Sequence, residues 1–226
     1  ASIPTGNFSY QNNHRIESYL SSLTYDYKDK YYLSASFRRD GTSRFSEESR
    51  WGNFYSVGAS WRISEEPFLE KYEGLDNLTI RTSYGTQGNE RISNLYAWLG
   101  LYDVVSELGN SGFALNTLTN TNLNWEKNNQ FNIGFEANLL QRFYISFDYF
   151  YKTSEDLLFN RELPLSSGLG SVAENIGDVE NKGFEISVNS VNIKLGDFRW
   201  ETRLNLTHYK NVITNLPAKE INAGLK

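Results

Sequence analysis

The 226-residue sequence has no cysteine and no methionine, four prolines and two histidines. Without cysteine there is neither a disulfide framework nor a thiolate metal site. His14 and His208 alone supply a histidine triad poorly, because catalysis needs nucleophile, base and orienting group within reach of one another. Since translation begins with methionine, its absence marks a processed chain or a piece of a longer polypeptide. Residues 1–10 show no signal-peptide pattern. No charge-free apolar run approaches the ~18 residues of a membrane-spanning helix, which leaves a membrane β-barrel open because its strands are apolar only at alternate positions. Cationic surface is also scarce: a net charge of −5 and a pI near 5.2 give no basic stripe, so nucleic acid is excluded as a partner.

Aromatic residues are abundant, with 15 Tyr and 14 Phe, and a hydrophobic content of 39% rules out disorder. Aromatic side chains fit a pleated surface, so the composition favours sheet over helix. Alternation of apolar and polar residues predicts eight strands, at about 15–27, 31–39, 54–63, 78–87, 130–139, 143–152, 184–189 and 198–207. In the fifth, Phe131, Ile133, Phe135, Ala137 and Leu139 oppose Gln130, Asn132, Gly134, Glu136 and Asn138. In the second and third, Tyr31, Leu33, Ala35 and Phe37, then Tyr55, Val57, Ala59, Trp61 and Ile63, form an apolar set against Ser34, Ser36, Arg38, Ser56, Gly58, Ser60 and Arg62.

The predicted connections alternate in length. Short ones fall at 28–30, 140–142 and 192–197, with a somewhat longer one at 64–77, and long ones fall at 40–53, 88–124 and 154–181. Short turns at one end and long loops at the other are the layout of an up-and-down outer-membrane barrel. Most alternating segments also have the 9 to 13 residues of a tilted membrane strand, where soluble strands average about 5 or 6. The competing reading is a soluble antiparallel sheet with one face on a core. Its weakness is the polar face, rich in Ser, Asn, Gly and paired Arg and Glu, as a wet lumen would be.

The blocks KYYLSASFRRDGTSRF, RWGNFYSVGASWRISEEPFL, LTIRTSYGTQGN, LNWEKNNQFNIGFEANLLQRFYISFDYFYKTSEDLL and NIGDVENKGFEISVNS resemble, in order and spacing, the barrel of SusC/RagA-type TonB-dependent outer-membrane transporters of Bacteroidota. The resemblance covers roughly 18–216 and implies an all-β, antiparallel transmembrane barrel of 22 strands, of which this chain supplies about eight. It implies that residues 1–226 are one part of a barrel domain, with plug, TonB-contacting segment and terminal strand lying elsewhere. It further implies a bacterial outer-membrane location, a SusD-like lipoprotein lid, energy supplied through TonB, and import of oligosaccharides or peptides. The alternatives are an enzyme built in an outer-membrane barrel and a soluble structural or adhesive β-protein.

Chemistry-bearing motifs are thin. Glu47–Glu48 and Glu65–Glu66 lie in connections, and adjacent side chains of an extended chain point opposite ways, so neither makes an acid/base pair. GLGSVA at 168–173 lacks the strand and helix that would make G-x-G-x-x-A a nucleotide site. Asp178 and Glu180 lack the spacing of a calcium loop. No catalytic residue, cofactor or metal is expected, and the chain is read as a non-enzyme. Arg38, Arg62 and Arg81 fall on the polar phase of their strands, where they would face a lumen, Arg38 and Arg62 pairing with carboxylates on adjacent strands. The first belongs to a mixed-charge group, Arg38, Arg39, Asp40, Arg44, Glu47, Glu48 and Arg50. Tyr96, Trp98 and Tyr102, with Asp103 beside them, suit stacking on sugar rings or peptide groups and are the candidate substrate contacts.

Overall fold

A computed structural model describes residues 11–69, 71–107 and 110–216. Residues 1–10, read above for a leader pattern, lie outside the described residues. Twelve strands follow in chain order: β1 (Ile16–Tyr27), β2 (Tyr31–Thr42), β3 (Trp51–Arg62), β4 (Leu75–Asn89), β5 (Leu101–Glu107), β6 (Asn110–Thr117), β7 (Glu126–Leu139), β8 (Phe143–Glu155), β9 (Leu158–Glu162), β10 (Ser171–Asn175), β11 (Asp178–Leu195) and β12 (Phe198–Asn215). Eight of them pair in the order β1-β2-β3-β4-β7-β8-β11-β12, all antiparallel, and these are the eight strands predicted by alternation. β5–β6 and β9–β10 are separate two-stranded hairpins inside the long loops. β1 and β12 form the two edges of the sheet.

Register follows from the period of two, because a one-residue slip would carry every apolar side chain to the other face. One row runs Tyr27, Tyr31, Trp61, Ile80, Phe135, Phe147, Ile186, Leu206 across all eight strands. On the opposite face the row Ser60, Arg81, Gly134, Asp148, Glu185, Thr207 is polar. Rings stack along the apolar face, Phe135 on Phe147 at 5.9 Å and Phe147 on Phe184 at 6.3 Å.

Several strands outrun their predicted bounds. β11 and β12 have 18 residues each, and the connection expected at 192–197 contracts to Gly196 and Asp197. The cause is a register shift between Val191 and Ile193. One extra residue there brings odd-numbered Ile193 and Leu195 opposite Trp200 and Phe198, on the face of even-numbered Ile186 and Val188. A second shift between Leu75 and Asn77 keeps Leu75 and Leu78 together, opposite Leu139 and Ala137. The tight turns at Lys28–Asp29 and Leu140–Gln141 take left-handed backbone at both central residues, the geometry that matches the twist of the flanking strands.

The apolar face is not the protein's core. Leu23, Leu33, Val57, Phe37 and Leu204 stay exposed on it among the described residues. Burial is concentrated instead where the long loops meet, in Phe45, Phe54, Ile92, Ala97, Leu123, Trp125 and Ala173, with Trp98 and Leu158 packed against them.

Candidate functional site

The loop-end cluster is built around Trp125. Phe45 from the 43–50 loop and Phe54 from β3 meet its ring edge-on at 5.6 and 5.4 Å, and its indole Nε1 donates to the Arg50 carbonyl at 3.0 Å. Gly52 and Gly88 make room, since a Cβ at either would run into the Phe54 ring. Polar side chains then tie the three long loops together. Ser46 Oγ donates to the Thr121 carbonyl and Asn120 Nδ2 to the Ala173 carbonyl, both at 2.7 Å. Asn175 Nδ2 donates to the carbonyls of Asn124 and Asp156 at 2.8 Å, while its Oδ1 accepts from the Asn124 amide. The loops are therefore one cap with a small apolar core.

Charged groups anchor the cap margins. Arg44 Nη1 donates to the Ile92 carbonyl at 2.6 Å, and His14 Nε2 lies 3.0 Å from Glu90 Oε1. Arg161 holds Glu174 through two bonds of 2.9 and 2.7 Å, and these keep the Glu174 carboxyl below the usual carboxylate range despite partial desolvation. At the short-turn end Glu66 is likewise held low, first by the Tyr31 hydroxyl donating at 2.6 Å and then by Trp61 Nε1 at 3.2 Å. Tyr27, Tyr31 and Trp61 stack there as an aromatic belt, and the polar tips of Tyr31 and Trp61 meet the connection at Glu66.

The sequence-predicted residues are dispersed. Tyr96 and Trp98 belong to the cap: the Tyr96 hydroxyl accepts from the Asn13 amide at 3.3 Å, and the Trp98 indole N–H is buried with no partner among the described residues. Tyr102 and Asp103 sit on β5, where adjacent residues point to opposite faces. Asp103 accepts from Asn116 at 2.6 Å. Exposed Tyr102 lies opposite Leu115, and beside them Val104 lies opposite Phe113. The mixed-charge group also divides: Arg39 lies 5.0 Å over the Trp51 ring, while Glu47 and Glu48 are exposed in their loop.

The three arginines behave differently from one another. Arg38 pairs at 2.7 Å with Asp40 of its own strand and reaches Ser18 on β1, and Arg62 lies over the Tyr32 ring at 5.7 Å. Neither pairs with a carboxylate of an adjacent strand among the described residues, a correction to the expectation above: alternate residues of one strand share a face, so Asp40 is already beside Arg38. Arg81, for which no partner is expected from the sequence, does pair across strands. It bonds Glu136 on β7 and reaches past Gly134 to Asp148 on β8, with Nη2 at 2.7 and 2.9 Å from the two carboxylate oxygens. The missing side chain at Gly134 opens that path. Asp178 and Glu180, weighed for calcium, are engaged with Asn215 and with Lys182 and Tyr151. Gly168 takes a left-handed turn in the β9–β10 loop.

A feature not foreseen from the sequence lies under the cap. A recess of about 420 Å³ is lined by Arg38, Asp40, Phe54, Gln87, Glu90 and Trp125. It joins the polar face of the sheet to the cap's aromatic core. These residues come from β2, β3, the end of β4 and the loops after it and before β7, positions 38 to 125, so no local motif announces it.

Residues 1–224 match the family described as TonB dependent receptor-like, beta-barrel. The chain is 38% identical over 205 residues to TonB-dependent receptor P39 of Formosa agariphila, covering 90% of this chain and 20% of that protein. It is 33% identical over 217 residues to TonB-dependent receptor SusC of Bacteroides thetaiotaomicron, covering 92% and 22%. The RagAB peptide transporter structure superposes with a TM-score of 0.81 at 30% identity, over 90% of this chain and 23% of that one. The FrpB iron transporter of Neisseria meningitidis, at 16% identity and a TM-score of 0.61, shares the fold. The chain thus spans about a fifth of the length of the curated relatives it matches. An eight-stranded antiparallel meander with an uncovered apolar face, short turns at one end and a loop cap at the other, matched along almost its whole length, belongs to the outer-membrane β-barrel of the SusC/RagA-type TonB-dependent receptors.

Proposed function

We propose that this chain forms wall and outer loops of a TonB-dependent importer that carries an oligosaccharide or a peptide across the outer membrane. The observation that carries the reading is the division of surfaces: the apolar face is left open by the described residues, while the polar face leads into a recess under the cap. Exposed apolar side chains fit lipid, and the recess offers a guanidinium, two carboxylates and aromatic edges to a polar solute. The likeness to a peptide transporter supports a peptide, and the cap aromatics suit either class. In this reading the plug, the remaining strands and the TonB-contacting segment belong to the rest of the polypeptide. Tyr96, Trp98, Tyr102 and Asp103 contact the solute or its lid, and Arg38, Arg62 and Arg81 set the field of the lumen.

The β5–β6 hairpin is the surface we assign to a SusD-like lid. A lone two-stranded ribbon is marginal in water, and this one exposes Tyr102, Val104 and Phe113 without a covering layer. The test is growth of a strain lacking the full gene on defined peptides and on defined glycans as sole nutrients. Complementation by the wild-type gene restores growth on one class, and an Arg38→Ala, Gln87→Ala variant that still reaches the outer membrane restores it poorly. Equal growth of deleted and complemented strains on every nutrient would refute import.

A further inference from the structure

Traced upward from the short turns, the apolar face ends on β11 and β12 in a pair of lysines. β12 leaves its turn at Phe198 and presents Trp200, Leu204 and Leu206 before Lys210, while β11 runs back from Leu195 through Ile193, Val188, Ile186 and Phe184 to Lys182. A strand of about twelve residues tilted about 40° rises roughly 30 Å, the depth of the hydrocarbon layer. Lys182 and Lys210 therefore stand where that layer gives way to headgroups at the long-loop end.

The two lysines are directly opposite each other in register. Like charges so placed repel and destabilise a sheet. Lys182 Nζ has Glu180 at 2.8 Å, and the other Glu180 oxygen accepts from the Tyr151 hydroxyl at 2.9 Å. Lys210 also acts on the Glu180 carboxylate, so two ammonium groups draw on one acid. Elsewhere on the same boundary the outward cation is already engaged: Arg39 is seated on Trp51, which stacks with Tyr19.

We propose that Lys182 and Lys210 bind the phosphate of an anionic lipid headgroup in the outer leaflet. A phosphate between them turns the repulsion into two charge-assisted hydrogen bonds, and Tyr151 keeps Glu180 turned toward Lys182. The site rests on the lipid-facing reading of the apolar face. The occupant is a membrane lipid because the flanking positions, Phe184, Leu206 and the ring of His208 against Phe184, face the acyl layer.

The test uses the intact protein, delipidated in non-ionic detergent and titrated by native mass spectrometry with a phosphorylated acyl glycolipid and with its dephosphorylated counterpart. Wild type prefers the phosphorylated lipid; Lys182→Gln or Lys210→Gln lowers that preference about fivefold and the double variant about thirtyfold. The double Lys→Arg variant keeps the preference and controls for folding. Equal binding of the phosphorylated lipid by the double Gln variant overturns the proposal, as does displacement of the lipid by millimolar inorganic phosphate. Failure of both lipids to bind would overturn the lipid-facing reading itself, whereas binding of both without preference would overturn only the lysine site.

Discussion

Replacing Gly134 by alanine probes how the polar face of the sheet is held. Arg81 on β4 and Asp148 on β8 are two strand spacings apart, about 9.6 Å, and Gly134 of β7 lies between them. A Cβ at 134 would fall on Asp148 Oδ1 and on the Phe147 carbonyl oxygen, closer than side-chain carbons approach either. The carboxylate can swing aside, but the carbonyl moves only if β7 and β8 part. Overpacking of this kind costs about 1–3 kcal/mol. Losing the Arg81–Asp148 pair adds roughly 0.5–1 kcal/mol, a low figure because the two side chains are 42% and 31% exposed and screened by water. The expected loss of about 1.5–4 kcal/mol is read as a lower midpoint for thermal unfolding of the intact protein in detergent. Gly170→Ala is the control: nothing lies within 4 Å of its Cβ and its backbone is not left-handed, so the change stays within about 0.5 kcal/mol. Combining Gly134→Ala with Asp148→Ala costs less than the sum, because one contact is shared. A Gly134→Ala protein that melts with wild type, or a fully additive double variant, would refute the reasoning.

Trp125→Ala removes the ring on which Phe45 and Phe54 pack, at a cost of about 3–5 kcal/mol, and the expected readout is faster proteolysis at 43–50 and 156–177 with the wall strands still protected. Glu66 has a folded-state pKa below its ordinary value near 4.5, so its contribution is present above that value and is lost as pH falls through the folded one. Glu66→Gln therefore removes an acid-side loss of stability that wild type shows in pH-dependent melting; unchanged acid sensitivity counts against the bonds from Tyr31 and Trp61. Tyr102→Ser with Phe113→Ser strips the exposed face of the β5–β6 hairpin, and co-purification of the proposed lipoprotein lid should fall at least tenfold.

The wall was legible because membrane and lumen impose a two-residue period on every strand. Phe131 to Leu139 obeys it without exception, and β7 spans those residues and five more. Legibility failed where one residue is inserted: at Val191–Ile193 the phase inverts, and a reader counting alternation stops at Asn189 although β11 continues to Leu195. It failed differently in the loops. β5–β6 and β9–β10 are short, and the cap joins Phe45 to Trp125 and Asn120 to Ala173, pairings between distant residues that no local period encodes. Arg81 stood out by its phase, yet its partners did not, because Asp148 is reached only through the gap left by Gly134.

These failures share a cause that also explains the division of stability in the chain. On the wall, apolar side chains are placed for a solvent that is not protein, so Leu23, Leu33 and Val57 gain nothing from one another in water. What fixes the wall is the hydrogen-bonded register, together with polar-face links such as Arg81 to Asp148 that span strands. Above the membrane the solvent is water again, and the ordinary rule returns: Phe45, Leu123 and Trp125 are buried and the loop carbonyls find asparagine donors. A substitution therefore has to be judged against the solvent its side chain meets. An apolar-to-polar change at Val57 should penalise insertion while leaving the cap intact, whereas the same change at Leu123 should open the cap and leave the wall standing.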